Sequence, residues 1–550
     1  MKKVSNPKVF ILFLASVAVI GPAYKVGDDL FEISKNLEIF TDLYKNINLF
    51  YAEDTQPGDL MKTGIDAMLE SLDPYTTYIP ESKMEDYRFM TTGQYGGIGS
   101  LIRSMDDDIY ISEPYQGFPA QRAGLQAGDR IISVDGKDIS GKDQEEVSTF
   151  LKGSPGSTVR IIVERPGEGE MSFQVSREEI KIPDVPYSGM LDNKVGYIKL
   201  NGFTQTASKE AKAAYKTLEE EGMEQLVFDL RGNGGGLLRE AVNIVNFFVP
   251  RGTEVVSTKG NISDWDKSHK TLNEPLSLDI PVAVLIDGSS ASASEIVSGT
   301  LQDLDRAIVV GEESFGKGLV QQTKDLAYGS KLKITVAKYY TPSGRCIQKL
   351  DYFEKNDNGV AEEVPDSLVK EFKTKSGRVV YDGRGIYPDV KVEQEEMGKV
   401  VGGLFQGNHF FRYATDYVQE HPSIAEPEAF QLSHDDIHDF ISWLADKGLS
   451  YDTEGLAELE ELVSAAKKEK YYDEYIPIFK ELERELSADT EADILRFERQ
   501  VRLILESEII SRYHFQNGRI IHGLNDDPVI DAALEHLDSA KYNGILNGQG

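Results

Sequence analysis

Hydrophobic positions change their spacing several times along the chain, and each change marks a different kind of element. Lys2, Lys3 and Lys8 precede an apolar run from Val9 to Ile20 that only Ser16 interrupts, the charged and apolar regions of a secretory signal. The run is shorter than the roughly 20 residues of a spanning helix. Gly21, Pro22 and Ala23 are the nearest candidates for a cleavage site, so a cleaved signal and a retained anchor both stay open. A buried core helix would leave the flanking lysines unexplained. From Asp28 to about Leu72 the period becomes helical (Leu30, Ile33, Leu37, Phe40, Leu43 and Ile47, then Leu60, Ile65, Met68 and Leu72). This spacing predicts two amphipathic helices, separated by the acidic stretch Tyr51 to Gly58 and stopped by Asp73-Pro74-Tyr75.

Between residues 91 and 178 the pattern shortens to strand-like runs, Asp108 to Ile111, Arg130 to Val134, Val159 to Glu164 and Met171 to Val175, with one helical stretch from Gln144 to Leu151. The phrase AQRAGLQAGDRIISVDGK at 120–137 resembles the signature run of PDZ domains, in the circularly permuted form found in bacterial proteases. The resemblance implies that Gly96-Gly97-Ile98-Gly99 offers backbone N–H groups to a peptide's terminal carboxylate. The strand after it, starting near Leu101, then pairs with that peptide. Taken alone, the glycines favour an ordinary turn; the run at 120–137 shifts the reading to a peptide-binding loop.

Residues 185 to about 395 alternate apolar β-runs with helical patterns, which predicts a layered α/β domain. The β-runs include Val195 to Leu200, Gln225 to Leu230, Val282 to Ile286 and Ala307 to Val310; the helices lie near Ser208 to Glu221, Leu237 to Phe248 and Ser294 to Leu304. After Gly402 the pattern is helical and acidic to the end. A chain of 550 residues with this succession divides into several domains.

Charge narrows the partners. With 59 basic and 92 acidic residues the formal charge is −33, which repels nucleic-acid backbones. Residues 401–550 alone hold 30 acidic and 13 basic residues, about half of that excess. A single cysteine, Cys346, excludes a disulfide framework and a multi-cysteine metal site, and no cysteine near the signal is available for a lipid anchor.

Three junctions between β-runs and loops carry the candidate chemistry. FDLRGNGGGL at 228–237 runs from a strand through a glycine cluster into a helix, a tight turn or an anion-stabilising site; it fails the dinucleotide fingerprint at Leu237. IDGSSASASE at 286–295 ends a strand in small residues at a helix start. Ser292 with Glu295 fits a capping box, and the same geometry presents a serine hydroxyl beside the free N–H of Ala293. VGEESFGKG at 310–318 matches a phosphate loop up to its lysine, but Gly318 replaces the required Ser or Thr and a strand-like run follows. A desolvated amine able to accept a proton is the other reading of Lys317. A serine nucleophile needs a base, and all eight histidines lie outside residues 270–408, which favours lysine.

The stretch GSSASASEIVSGTLQDLDRAIVVGEESFGKGLVQ at 288–321, with DLRGNGGG upstream, resembles the core of carboxyl-terminal processing peptidases, the tail-specific Ser/Lys proteases. YTPSGR at 340–345 and YDGRGIYPD at 381–389 follow in that family's order. The resemblance implies Ser292 as nucleophile, Lys317 as general base and Gln321 orienting the lysine. It also implies oxyanion donors from Ala293 and the cluster Gly234, Gly235 and Gly236, and peptide capture at Gly97, Ile98, Gly99 and Leu101. The implied fold is multidomain α/β: a signal peptide or anchor (1–24), a helical region (25–90), an inserted PDZ domain (91–180), a crotonase-like (ClpP/crotonase type) protease core (181–398) and an acidic helical domain (399–550). No metal or organic cofactor is implied. The expected protein is an exported, periplasmic endopeptidase, soluble or held at the inner membrane by its N-terminus, acting on polypeptides through their free C-termini. An activating adaptor and self-association stay open. The rivals are a catalytically silent scaffold that captures C-termini and a P-loop ATPase joined to a PDZ adaptor.

Overall fold

The computed structural model describes residues 30–191, 194–356, 359–393 and 395–548. The expected signal or anchor lies outside these residues. Among them no helix is long and apolar enough to cross a membrane.

Two compact units emerge. The smaller contains a helix over residues 30–50 and a second over Pro57–Glu70, as the apolar spacing predicts. Tyr44 donates its hydroxyl to the carbonyl of Pro57 (2.7 Å), which braces the connection. Asp73 ends the helical run by accepting the N–H groups of Tyr75 (2.8 Å) and Thr76 (2.9 Å), and Thr77–Ile79 then pairs antiparallel with Lys331–Lys333. Leu30, Phe31, Leu37, Leu49 and Phe50 are exposed in this unit.

In the larger unit a helix over Met84–Thr92, which the sequence pattern did not signal, ends at Gly93 and leads into the β-rich module. Strand Gln94–Gly97 pairs with the last strand, Glu178–Lys181, and closes that module on itself. Its main sheet runs in the order Ser100–Met105, Asp108–Pro114, Arg130–Val134, Thr158–Arg165, Gly169–Ser176, and the helix at Gln144–Leu151 is present. Ile109, Ile111, Val159, Ile161 and Val163, at the inward positions of alternating strands, fill the core together with Val147 of that helix.

The α/β domain is built on a six-stranded sheet in the order Tyr187–Met190, Val195–Lys199, Gln225–Asp229, Val282–Ile286, Ile308–Gly311, Val390–Lys391. The first pair is antiparallel and the remaining pairs are parallel. All five residues of Val282–Ile286 are buried, because both faces of the sheet are covered. One face carries the helices Ala207–Glu220, Leu238–Val245 and Ala293–Asp303. The other face is covered by the last two helices of the chain, Pro528–His536 and Ser539–Leu546, whose Val529, Ile530, Ala533, Leu537 and Tyr542 pack on Val195, Tyr197, Val227, Leu285 and Ile308.

The acidic C-terminal region is helical, with its own core around Val401, Phe410, Phe440, Leu505 and Ile509. It touches the β-rich module through Arg519 and Glu113 (2.9 Å), and Arg103 lies over the ring of Phe411 (4.8 Å).

Candidate active site

Parallel strands in an open α/β sheet gather loops at their C-terminal ends, where ligands usually bind. Here Asp229 pairs in register with Leu285 and Ile286 with Gly311, so the three motif-bearing loops leave neighbouring strands at one edge.

Ser292 caps the helix Ala293–Asp303 with φ +55° and ψ −109°, a backbone conformation that costs a non-glycine residue of order 1–3 kcal/mol and clusters at functional sites. Its neighbours in the serine series have structural partners. Ser290 donates to the carbonyl of Leu230 (2.9 Å) and Ser294 to that of Asn233 (2.8 Å), and both are fully buried. Ser292 is partly exposed. Buried Tyr339 donates its hydroxyl to the Ser292 carbonyl (3.2 Å) and steadies the strained residue.

Glu295 is the hub. Its carboxylate is completely buried: Oε2 accepts the N–H of Ser292 (2.7 Å) and of Lys317 (3.0 Å), while Oε1 accepts the N–H of Gly316 (2.7 Å) and the hydroxyl of Ser314 (2.6 Å). One oxygen therefore ties the backbones of Ser292 and Lys317 together, and their nitrogens cannot lie farther apart than those two hydrogen bonds reach. Burial pushes the carboxyl up to about 7, against the pull of the four donors. The amides of Gly316 and Lys317, which a phosphate loop would turn toward its ligand, are already taken by this carboxylate. The phosphate-loop reading falls for that reason, and the strand Leu319–Asp325 that follows is the wrong element for it.

The glycine turn packs against the serine loop. Gly235, at φ +97°, approaches so closely that a Cβ there would meet the Ala291 carbonyl oxygen at 2.6 Å and the Ala293 nitrogen and Ser292 Cβ at 2.9 Å. Its N–H is bonded to Asn233 Oδ1 (2.9 Å), so among the three glycines it supplies proximity rather than a donor. Gly234 has open space around its Cβ position, and Gly236 bridges to Phe203. Asn233 is fully buried; its Nδ2 donates to the Leu200 carbonyl (2.7 Å) and its own carbonyl accepts from Ala291 (3.0 Å), which stitches the two loops together. The N–H of Ala293 lies in the first helical turn, where no intrahelical acceptor exists.

The structure thus brings Ser292, Ala293 and Gly235 into contact and joins Lys317 to them through Glu295. Gln321 lies on the strand Leu319–Asp325. Nothing in the sequence pattern gives Glu295, Ser314, Asn233 or Tyr339 a functional role beyond the capping-box spacing of Glu295. The two downstream motifs hold the site from behind. Fully buried Arg345 pairs with Asp303 at the end of the Ser292 helix (2.8 Å), and Ile386 donates its N–H to Ser314 (2.7 Å).

In the β-rich module, Ser100–Met105 is an edge strand with Leu101 47% exposed, so it has a free side to offer a peptide. Gly97 and Gly99 are buried, and Ile98 is only 2% exposed, its side chain part of the module's own core rather than presented to a ligand.

Residues 194–360 match the model of peptidase family S41, residues 110–165 a PDZ domain, and residues 400–537 the C-terminal helical domain of probable PDZ-proteases. The carboxy-terminal processing protease CtpA of Bacillus subtilis is 33% identical over 307 residues, 56% of this chain and 65% of that protein. A probable CtpA-like serine protease of Staphylococcus aureus is 36% identical over 315 residues, 57% of this chain and 62% of its own. This chain therefore spans less than two thirds of the length of these curated relatives. Among solved structures, a photosystem II D1 C-terminal processing protease aligns with 26% identity over 64% of this chain and 92% of its own, with a TM-score of 0.35. One chain thus joins an S41 peptidase domain, a PDZ domain and a PDZ-protease helical domain, and over more than half of its length it is similar to carboxy-terminal processing proteases.

Proposed function

We propose that the protein is an exported serine endopeptidase that captures polypeptides by their free C-termini and cleaves them by a Ser/Lys mechanism. The observation that carries this reading is the shared Glu295 oxygen, which ties the Ser292 and Lys317 backbones together beside a glycine turn. Neutral Lys317 takes the proton of Ser292 as Oγ attacks the scissile carbonyl. The developing oxyanion rests on the N–H of Ala293 and a second N–H from Gly234 or Gly236. Lys317, now protonated, returns that proton to the departing amine. Water then hydrolyses the acyl-enzyme with the lysine again as base, and Gln321 keeps the amine oriented. The core is of the crotonase-like type, and the edge strand near Leu101 receives the substrate's C-terminal residues. The N-terminal apolar run directs the chain to the periplasm, soluble or held at the inner membrane.

Incubating the full chain with an unfolded polypeptide, with and without ATP and magnesium, tests the proposal. ATP-independent cleavage is expected. Absence of cleavage would favour a silent scaffold, and strict ATP dependence an ATPase.

A further inference from the structure

Arg231, which opens the glycine turn, is gripped from two sides. Its Nε and Nη2 donate to buried Asp229 (3.1 and 2.8 Å), while Nη1 reaches Asp527 Oδ2 at 2.7 Å and Oδ1 at 3.0 Å. Asp527 is separated from it by almost 300 residues and caps the helix Pro528–His536, accepting the N–H groups of Val529 (2.9 Å) and Ile530 (3.2 Å). Lys199 donates to the Arg231 carbonyl (2.7 Å) and sits 3.3 Å from Asp229, so the cluster holds two cations and two anions. The turn itself begins one residue later, where the N–H of Gly232 is fixed by Asp287 (3.0 Å), and it runs on to the close approach of Gly235 against Ser292 and Ala293.

We propose that Asp527 is a positioning residue: through Arg231 it fixes the turn Gly232–Gly236 beside Ser292, so that the C-terminal helical domain completes the catalytic scaffold. This rests on reading Ser292 as the nucleophile. The helix does not need the ion pair to dock. Its apolar face covers the sheet, Tyr542 accepts the N–H of Val282 (3.1 Å), and Gln225 donates to the Leu537 carbonyl (3.0 Å). Removing the Asp527 charge therefore leaves the domain seated. The cluster then carries an excess positive charge, and Nη1 of Arg231 loses its carboxylate, so that Asp229 alone grips the side chain that anchors the turn.

Asp527→Asn isolates that charge, because asparagine caps a helix about as well as aspartate and has the same shape. In the full chain, kcat toward a short peptide should fall about 10-fold with KM nearly unchanged, since a turn loosened by a fraction of an ångström weakens oxyanion stabilisation more than binding. Amide exchange over residues 232–236 should accelerate about 10-fold while that of Ala293–Asp303 stays as in the wild type, and Asp527→Glu should restore most of both. Wild-type kcat or unchanged exchange over 232–236 in Asp527→Asn would overturn the inference. Ser292→Ala runs in parallel: activity surviving in that variant refutes Ser292 as the nucleophile, and the exchange measurement still decides the positioning claim.

Discussion

Adding one methyl group at Gly235 should disable the site, because no free space exists for it. An alanine Cβ would sit 2.6 Å from the Ala291 carbonyl oxygen and 2.9 Å from the Ala293 nitrogen, against 3.4 Å or more for ordinary contact. The nearest atoms are backbone and cannot swing aside, so the turn must retreat from the serine loop by about 0.8 Å, and φ +97° adds strain of about 1–2 kcal/mol for an L-residue. A displacement approaching 1 Å at a catalytic centre costs about 10²-fold, or about 2.7 kcal/mol of transition-state stabilisation. Gly234→Ala is the internal control, since nothing lies within 4 Å of its Cβ position. Measured as kcat/KM on a short peptide, Gly235→Ala should lose about 10²-fold or more while Gly234→Ala stays within about threefold, and thermal melting should show both folded. A Gly235→Ala enzyme with wild-type kcat/KM would refute the close-packed turn as a catalytic requirement.

Other consequences follow from particular contacts. Glu295→Gln should lower both stability and activity, because either orientation of the amide turns its NH₂ toward a backbone N–H donor and leaves buried groups unpaired, about 1–3 kcal/mol for each; urea unfolding and peptide turnover check this. Leu101→Asp on the exposed edge should weaken cleavage of polypeptides with free apolar C-termini more than that of short peptides, whereas Ile98→Ala should mainly destabilise the module; parallel turnover and melting assays separate the two. His522 faces acceptors with both ring nitrogens, Glu506 Oε2 (3.0 Å) and the Pro427 carbonyl (3.0 Å), and the Glu506 hydrogen bond raises its pKa above the usual 6.5. Its stabilisation is complete below pH 6.5 and is lost as pH rises through the raised value, so melting temperature should fall across that window in the wild type and less in His522→Gln.

Local pattern carried much of the architecture. Arg130–Val134 and Gln144–Leu151 begin and end where periodicity and turn residues put them, and the apolar run of Val282–Ile286 is the expected strand, buried on both faces. Such a strand requires a layer on each side, yet nothing local to Val529 or Leu537 says that the chain's last helices provide one of them. The same holds in the site. Ser292 and Lys317 stood out through loop chemistry, whereas the tie between them depends on Glu295 reaching a loop more than 20 residues away, and a capping-box spacing has no means of reporting that second partnership. Ile98 illustrates the converse. Its loop drew attention through its backbone N–H groups, whereas its side chain is 2% exposed and belongs to the module's own core.

Labelling the full chain with a phosphonylating reagent and mapping the adduct by mass spectrometry decides whether Lys317 activates Ser292. A single adduct should form on Ser292, at a rate that rises with pH, and should be absent in Ser292→Ala. It should also be absent in Lys317→Arg, because a guanidinium stays protonated and cannot accept the serine proton. An adduct on another residue, or labelling of Lys317→Arg at the wild-type rate, would contradict it.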